Sequence, residues 1–126
     1  MMKWRGMALI AALYGLMAVV LAALGAHLLP ANLEAAQSLW ATALQMHVFH
    51  AVALLALAAL SAYRDSNLLR WSGFMMALGV LLFSGSLYLR AAGIEFLPGP
   101  LTPAGGFILM LGWALLIISL IRHNSG

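Results

Sequence analysis

Four long apolar blocks, separated by short polar breaks, run the length of this chain. Gly6 to Ala26 carries neither a charge nor a histidine. Ala35 to Tyr63 is interrupted only by His47 and His50 among ionisable imidazoles and charges. Trp71 to Leu89 and Pro103 to Ile121 are again free of Asp, Glu, Lys and Arg. About 20 apolar residues in a helix cross a hydrocarbon core of ~30 Å. The pattern therefore predicts helices at about 6–26, 43–63, 71–89 and 103–121, with residues 1–126 forming one transmembrane domain. Pro103 fits the first turn of the last helix, where its missing N–H would have had no partner. Lys3 and Arg5 before a first apolar block also suit a secretory leader, with small residues at Ala22 to Ala26 for cleavage. That block is longer than the ~7–15 residues of a leader's apolar region, so it reads as a span.

Composition turns this pattern into a class. Apolar residues make up 65% of the chain and charged residues 7%, too little polar surface to cover a soluble fold. A cytosolic enzyme domain, a nucleic-acid binder and a disordered tail are excluded, and the reading is an all-α, integral membrane four-helix up-down bundle. The net charge of +3 comes from basic residues dispersed between apolar blocks, which suits membrane orientation and not binding of nucleic acid. Lys3, Arg5, Arg64, Arg70 and Arg122 fall on one side of the predicted topology and Arg90 alone on the other. The positive-inside rule then places both termini in the cytoplasm and the chain in the cell inner membrane. With no cysteine, disulfides, thiolate metal sites and covalently attached haem are absent.

Small residues mark where helices can approach. Gly15, Ala18, Ala22 and Gly25 recur at steps of three and four, and Gly105, Gly112 and Ser119 recur at sevens, with Gly73 and Ala77 between them in the third block. Membrane helices associate through such close contacts because lipid removes the hydrophobic drive between them. These stripes are expected to face other helices, in the same chain or in a second copy.

The chemistry left inside is sparse. Glu34, Asp65 and Glu95 fall in loops or at helix ends, so no carboxylate is expected at bilayer depth, where cation-coupled pumps and exchangers need one. His47 and His50, three apart, should point in roughly the same direction, ~5 Å and ~9 Å below the outer interface if their helix starts near residue 44. His27, Ser86, Tyr88 and Thr102 are expected at that level too, which gathers a polar cluster in the outer half of the bundle. Three uses compete: hydrogen bonds by His50, Tyr88 and Gln45 that tie helices together, a metal or haem site using imidazole, and a proton or solute path. A metal site needs three or four ligands, or two across a haem plane. No catalytic residue, metal or cofactor is assigned.

Several segments match a known pattern. Ala23 to His27, Trp40 to Leu55, Phe83 to Leu89, Leu101 to Gly106 and Gly112-Trp113 together resemble the family called domain of unknown function 423, whose members include transmembrane protein 256-like chains. The resemblance implies a four-helix multi-pass protein of bacterial inner membranes, with mitochondrial relatives, and brings no reaction, ligand or catalytic residue. Its motif positions are Gly25, His27, Thr42, His50, Ser86, Tyr88, Thr102, Pro103, Gly105, Gly106 and Trp113; His47 and Arg90 depart from it. The expectation is a non-enzymatic structural or interaction protein, within the bilayer and in contact with a second copy or a larger membrane complex. A ligand-binding or transport role for the outer polar cluster is the alternative.

Overall fold

The computed structural model describes residues 3–29, 33–94 and 97–123. It contains four helices, α1 (Trp4–Leu28), α2 (Glu34–Tyr63), α3 (Asn67–Ala91) and α4 (Leu101–His123), each long and apolar enough to cross a membrane. Glu95 lies outside the described residues.

α2 and α3 extend past their apolar blocks for local reasons. Glu34 opens α2 with a carboxylate in the first turn, favourable at the positive end of the helix dipole. The Ala-rich stretch from residue 35 continues as good helix former. Ser66 caps α3, its Oγ accepting the Leu69 N–H at 3.1 Å. That cap starts the helix at Asn67 and not at residue 71. At the other end Gly93 adopts φ +92°, the left-handed conformation that glycine takes without strain. The Gly93 N–H reaches the Arg90 carbonyl and the Ile94 N–H the Leu89 carbonyl, both at 3.0 Å. This is a Schellman ending, which satisfies carbonyls that the last turn would leave bare.

Successive helices pack as antiparallel neighbours, but the ring does not close. α1 lies on α2, α2 on α3, and α3 on α4, while α1 reaches α3 only slightly and, among the described residues, does not approach α4. α3 is central and buries Ser72, Gly73, Met76, Ala77, Gly79, Val80 and Ser84 to Tyr88 except Gly85. In α1 only Met7, Ala11 and Ala18 are buried. One apolar cluster joins Met7, Ala11, Leu54, Leu57, Leu69 and Met76 near the end that carries both termini; a second joins Ala43, Leu87 and Tyr88 toward the other.

Glycine makes the α3–α4 seam possible. A Cβ on Gly105 would stand 2.5 Å from the Phe83 backbone nitrogen and 3.0 Å from the Gly79 carbonyl oxygen, and one on Gly112 2.9 Å from Met76 Cγ. The two backbones touch there. Gly25 is covered by the Trp40 indole, whose Nε1–H donates to the Leu21 carbonyl at 2.9 Å. Two members of the α1 stripe have no neighbour within the described residues of this chain. Gly15 has nothing within 4 Å of where its Cβ would be, and Ala22 is exposed. With its steps of three and four, the stripe is wider than the single seam that α2 offers.

Candidate functional site: the polar interior

Helices leave the bundle interior few polar atoms, and those present are aimed across seams. His47, 5% exposed, and His50, 2% exposed, sit near the middle of α2, because that helix begins at Glu34 and not near residue 44. They do not form a pair. Three residues of α-helix leave two side chains about 60° apart in azimuth, and here neighbours stand on both sides of that angle.

His47 turns toward α1 and α3. Its Nε2 lies 2.8 Å from the Tyr14 carbonyl oxygen and its Nδ1 2.8 Å from the Tyr88 hydroxyl. A carbonyl can only accept, so Nε2 carries a proton, and Nδ1 shares a hydrogen bond with the Tyr88 hydroxyl. Tyr14 completes the knot by donating its own hydroxyl to the Ala77 carbonyl at 2.7 Å. Edge-on ring contacts of His47 with Tyr14 and Tyr88, each at 5.8 Å between centroids, and of Trp40 with Tyr88 at 4.7 Å, fill the space around it.

His50 turns toward α4. Its Nδ1 is 2.8 Å from the Met46 carbonyl one turn back, and Trp113 Nε1–H donates to its Nε2 at 3.0 Å. The same logic gives the opposite tautomer, with the proton on Nδ1. The indole N–H makes His50 neutral, and both imidazoles use both nitrogens. An imidazole in that state has no lone pair left for a metal, and among the described residues no group of three His, Asp or Glu side chains converges on one point.

Hydroxyls make the other ties. Ser72 donates to the Gly112 carbonyl at 2.7 Å and Ser84 to the Ala43 carbonyl at 2.8 Å. Ser86 donates to the Phe83 carbonyl in its own helix and shares a short hydrogen bond with Thr102 across the α3–α4 seam. Ser61 Oγ is buried with no hydrogen-bond partner among the described residues.

The structure thus divides the predicted cluster. Tyr88 meets His47, not His50, and Ser86 meets Thr102 in a separate seam. His27 and Gln45 are exposed and join neither. Two participants were not placed in the polar cluster by the sequence, although Trp113 is a motif position. Tyr14 and Trp113 are aromatic groups with one polar atom inside an apolar span, and such an atom must find a partner when no water is present; that rule is the signal that identifies them. Trp40 also serves as a cross-helix donor.

At the end that carries both termini the polar groups are charged. Arg70 pairs with Asp65, and this guanidinium beside it, assisted by Lys3, holds the Asp65 carboxyl below the usual carboxylate range. Beside Tyr14, His47 and Tyr88 a crevice of about 150 Å³ opens between α1 and α3.

Comparison with known proteins agrees with this architecture. Residues 21–106 match the family described as Protein of unknown function (DUF423). The chain is 40% identical over 122 residues to the UPF0382 inner membrane protein YgdD of Escherichia coli (strain K12), covering 96% of this chain and 93% of that protein. It is 35% identical over 115 residues to the UPF0382 membrane protein SH2409 of Staphylococcus haemolyticus, covering 90% of this chain and 93% of that one. No solved structure matches. With four apolar helices in sequential contact and this likeness over nearly its whole length, the chain belongs to the DUF423 family and is a multi-pass protein of the cell inner membrane.

Proposed function

We propose that this protein is a non-enzymatic structural or interaction element of the membrane, assembling with a second copy or a larger complex, with both termini in the cytoplasm. One observation carries this reading. The buried imidazole nitrogens, and the hydroxyls of Tyr14, Ser72, Ser84 and Tyr88, all end on partners within the bundle. Chemistry spent on holding helices together is not available for turnover. The open ring adds support: α1 turns most of its surface outward, including Ala22 and the empty flank of Gly15. Small residues there allow another helix to come close.

The test is native mass spectrometry of protein released gently from its own membrane. Two or more copies, or a stoichiometric partner, are expected, and Ala22→Leu should weaken the assembly without lowering the unfolding midpoint. A strictly monomeric protein with no partner would overturn the proposal.

A second reading, ligand binding or transport, draws on the crevice beside Tyr14, His47 and Tyr88. It requires a small molecule that co-purifies with the protein and is lost from Tyr88→Phe. If the same molecule stays bound to that variant, the crevice is not its site.

A further inference from the structure

Gln45 turns a primary amide away from the bundle. Its side chain is exposed, and among the described residues the amide bonds nothing in this chain. Its depth follows from the register of α1 against α2. The Trp40 Nε1–H meets the Leu21 carbonyl, and the His47 Nε2–H meets the Tyr14 carbonyl. Antiparallel pairing on those two bonds sets Gln45 opposite Leu16. Leu16 is the middle residue of the uncharged block from Gly6 to Ala26. Half of a ~30 Å hydrocarbon core then separates Gln45 from water on either side, farther than its side chain reaches.

An amide is costly to leave unpaired in hydrocarbon, because it gives up two donors and an acceptor together. Lipid tails replace neither, so this group calls for a polar partner from outside the chain. The neighbouring positions define the surface that such a partner meets. Ala41, Gln45, Val48 and Val52 follow at steps of four, three and four, which puts them on one side of the helix. All four are exposed, whereas Ala43, His47, His50 and Leu54 are buried on the other side of α2. Steps alternating between three and four are those of a helix–helix seam, and the side chains flanking the amide are short enough for close approach.

A second copy supplies the matching surface. A glutamine amide carries donor and acceptor side by side, so it is complementary to another glutamine. Two copies with the same orientation in one membrane are related by a two-fold axis along the bilayer normal. Such an axis sets each residue of the seam against itself. Gln45 then faces the partner's Gln45, and two N–H···O bonds satisfy both amides.

We propose that this chain forms a two-fold homodimer along the outward face of α2, with the Gln45 amides of the two copies hydrogen-bonded to each other at mid-bilayer. Such a dimer rests on the reading that the chain assembles, and its contact is separate from the α1 flank.

The experiment measures energy transfer between terminally labelled full-length copies in phospholipid vesicles at rising dilution in lipid, with cysteine cross-linking beside it. Gln45→Leu should weaken the dimer about tenfold, the effect of two interhelical hydrogen bonds of ordinary strength. Gln45→Asn, which keeps the amide, should retain most of the affinity. Both variants should keep the wild-type unfolding midpoint as monomers in detergent, since the amide bonds nothing in its own bundle. The chain has no cysteine, so Val48→Cys and Val52→Cys should each cross-link between copies on oxidation. Phe107→Cys, on the 69% exposed outward side of α4, should not. Energy transfer unchanged by Gln45→Leu, or cross-linking through Phe107→Cys in place of Val48→Cys, would overturn the α2 contact while leaving assembly standing. No energy transfer at any dilution would overturn the homodimer. Native mass spectrometry from the membrane then separates the two failures: a stoichiometric partner of another mass overturns only the choice of a second copy, and a bare monomer overturns assembly as well.

Discussion

Trp113 and His50 form a contact that works in one direction only. An indole N–H can donate but never accept, so His50 must offer a bare Nε2, and its proton stays on Nδ1 toward Met46. The Tyr88 hydroxyl, by contrast, can reverse its role toward His47. The Trp113 bond should accordingly be the more specific of the two. A double-mutant cycle of Trp113→Phe and His50→Phe, read from unfolding in mixed micelles, is expected to give a coupling of about 0.6–2 kcal/mol. A coupling near zero would mean that the two rings only fill space. Asp65 supplies a residue-scale effect outside the spans. Arg70 depresses its pKa, so the folded state holds the carboxylate more firmly than the unfolded chain does. The stabilisation is present above the unfolded value of about 3.9 and is lost as pH falls through the lower folded value. Asp65→Asn should lower the unfolding midpoint at neutral pH only slightly, since the pair is solvent-exposed, and should match the wild type at low pH, where the Asp65 carboxyl is protonated.

At the scale of the helix, glycines with similar sequence surroundings do opposite things. Gly105 lets α4 rest on the backbone of α3, where a methyl group would meet main-chain atoms that cannot rotate away. Gly105→Ala should cost about 1–3 kcal/mol of stability, the usual penalty for overfilling a packed seam. Gly15 has open space beside it, and Gly15→Ala should be neutral or stabilising by up to about 1 kcal/mol through helix propensity alone. Equal effects of the two substitutions on the unfolding midpoint would refute the assigned seams. Spacing alone did not separate these positions. Both belong to periodic small-residue stripes, and periodicity reports which residues share a face, not which face has a neighbour. The helix ends were partly legible: a serine before Asn67 and a glycine after Ala92 are recognisable stop and start signals, yet apolar runs alone placed the ends of α3 inside them.

For the molecule as a whole, three sequential helix contacts and a slight one between α1 and α3 make α3 the hub and leave α1 and α4 apart. The basic residues at the end carrying both termini predict a single orientation. The chain has no cysteine, so single introduced cysteines report cleanly. Asn67→Cys should react with an impermeant reagent only from the cytoplasmic face, and Gly99→Cys only from the outer face. Labelling of both from one face would contradict the four-span topology, and reversed labelling would contradict the proposed orientation.

By itself the sequence determined the solvent, the number of spans and the shared end of the two termini. These follow from charge and length, which act on each segment independently of the others. Only the tertiary structure decided that His47 looks to α1 and α3 while His50 looks to α4, that Tyr88 joins the first and Trp113 the second, and that Gly105 packs while Gly15 does not. The physical reason lies in the bilayer. Lipid is as apolar as the helices it surrounds, so nothing in an apolar span distinguishes a side that meets lipid from one that meets protein. That choice rests on close fit and on hydrogen bonds that no water can replace, and both exist only once the helices are side by side.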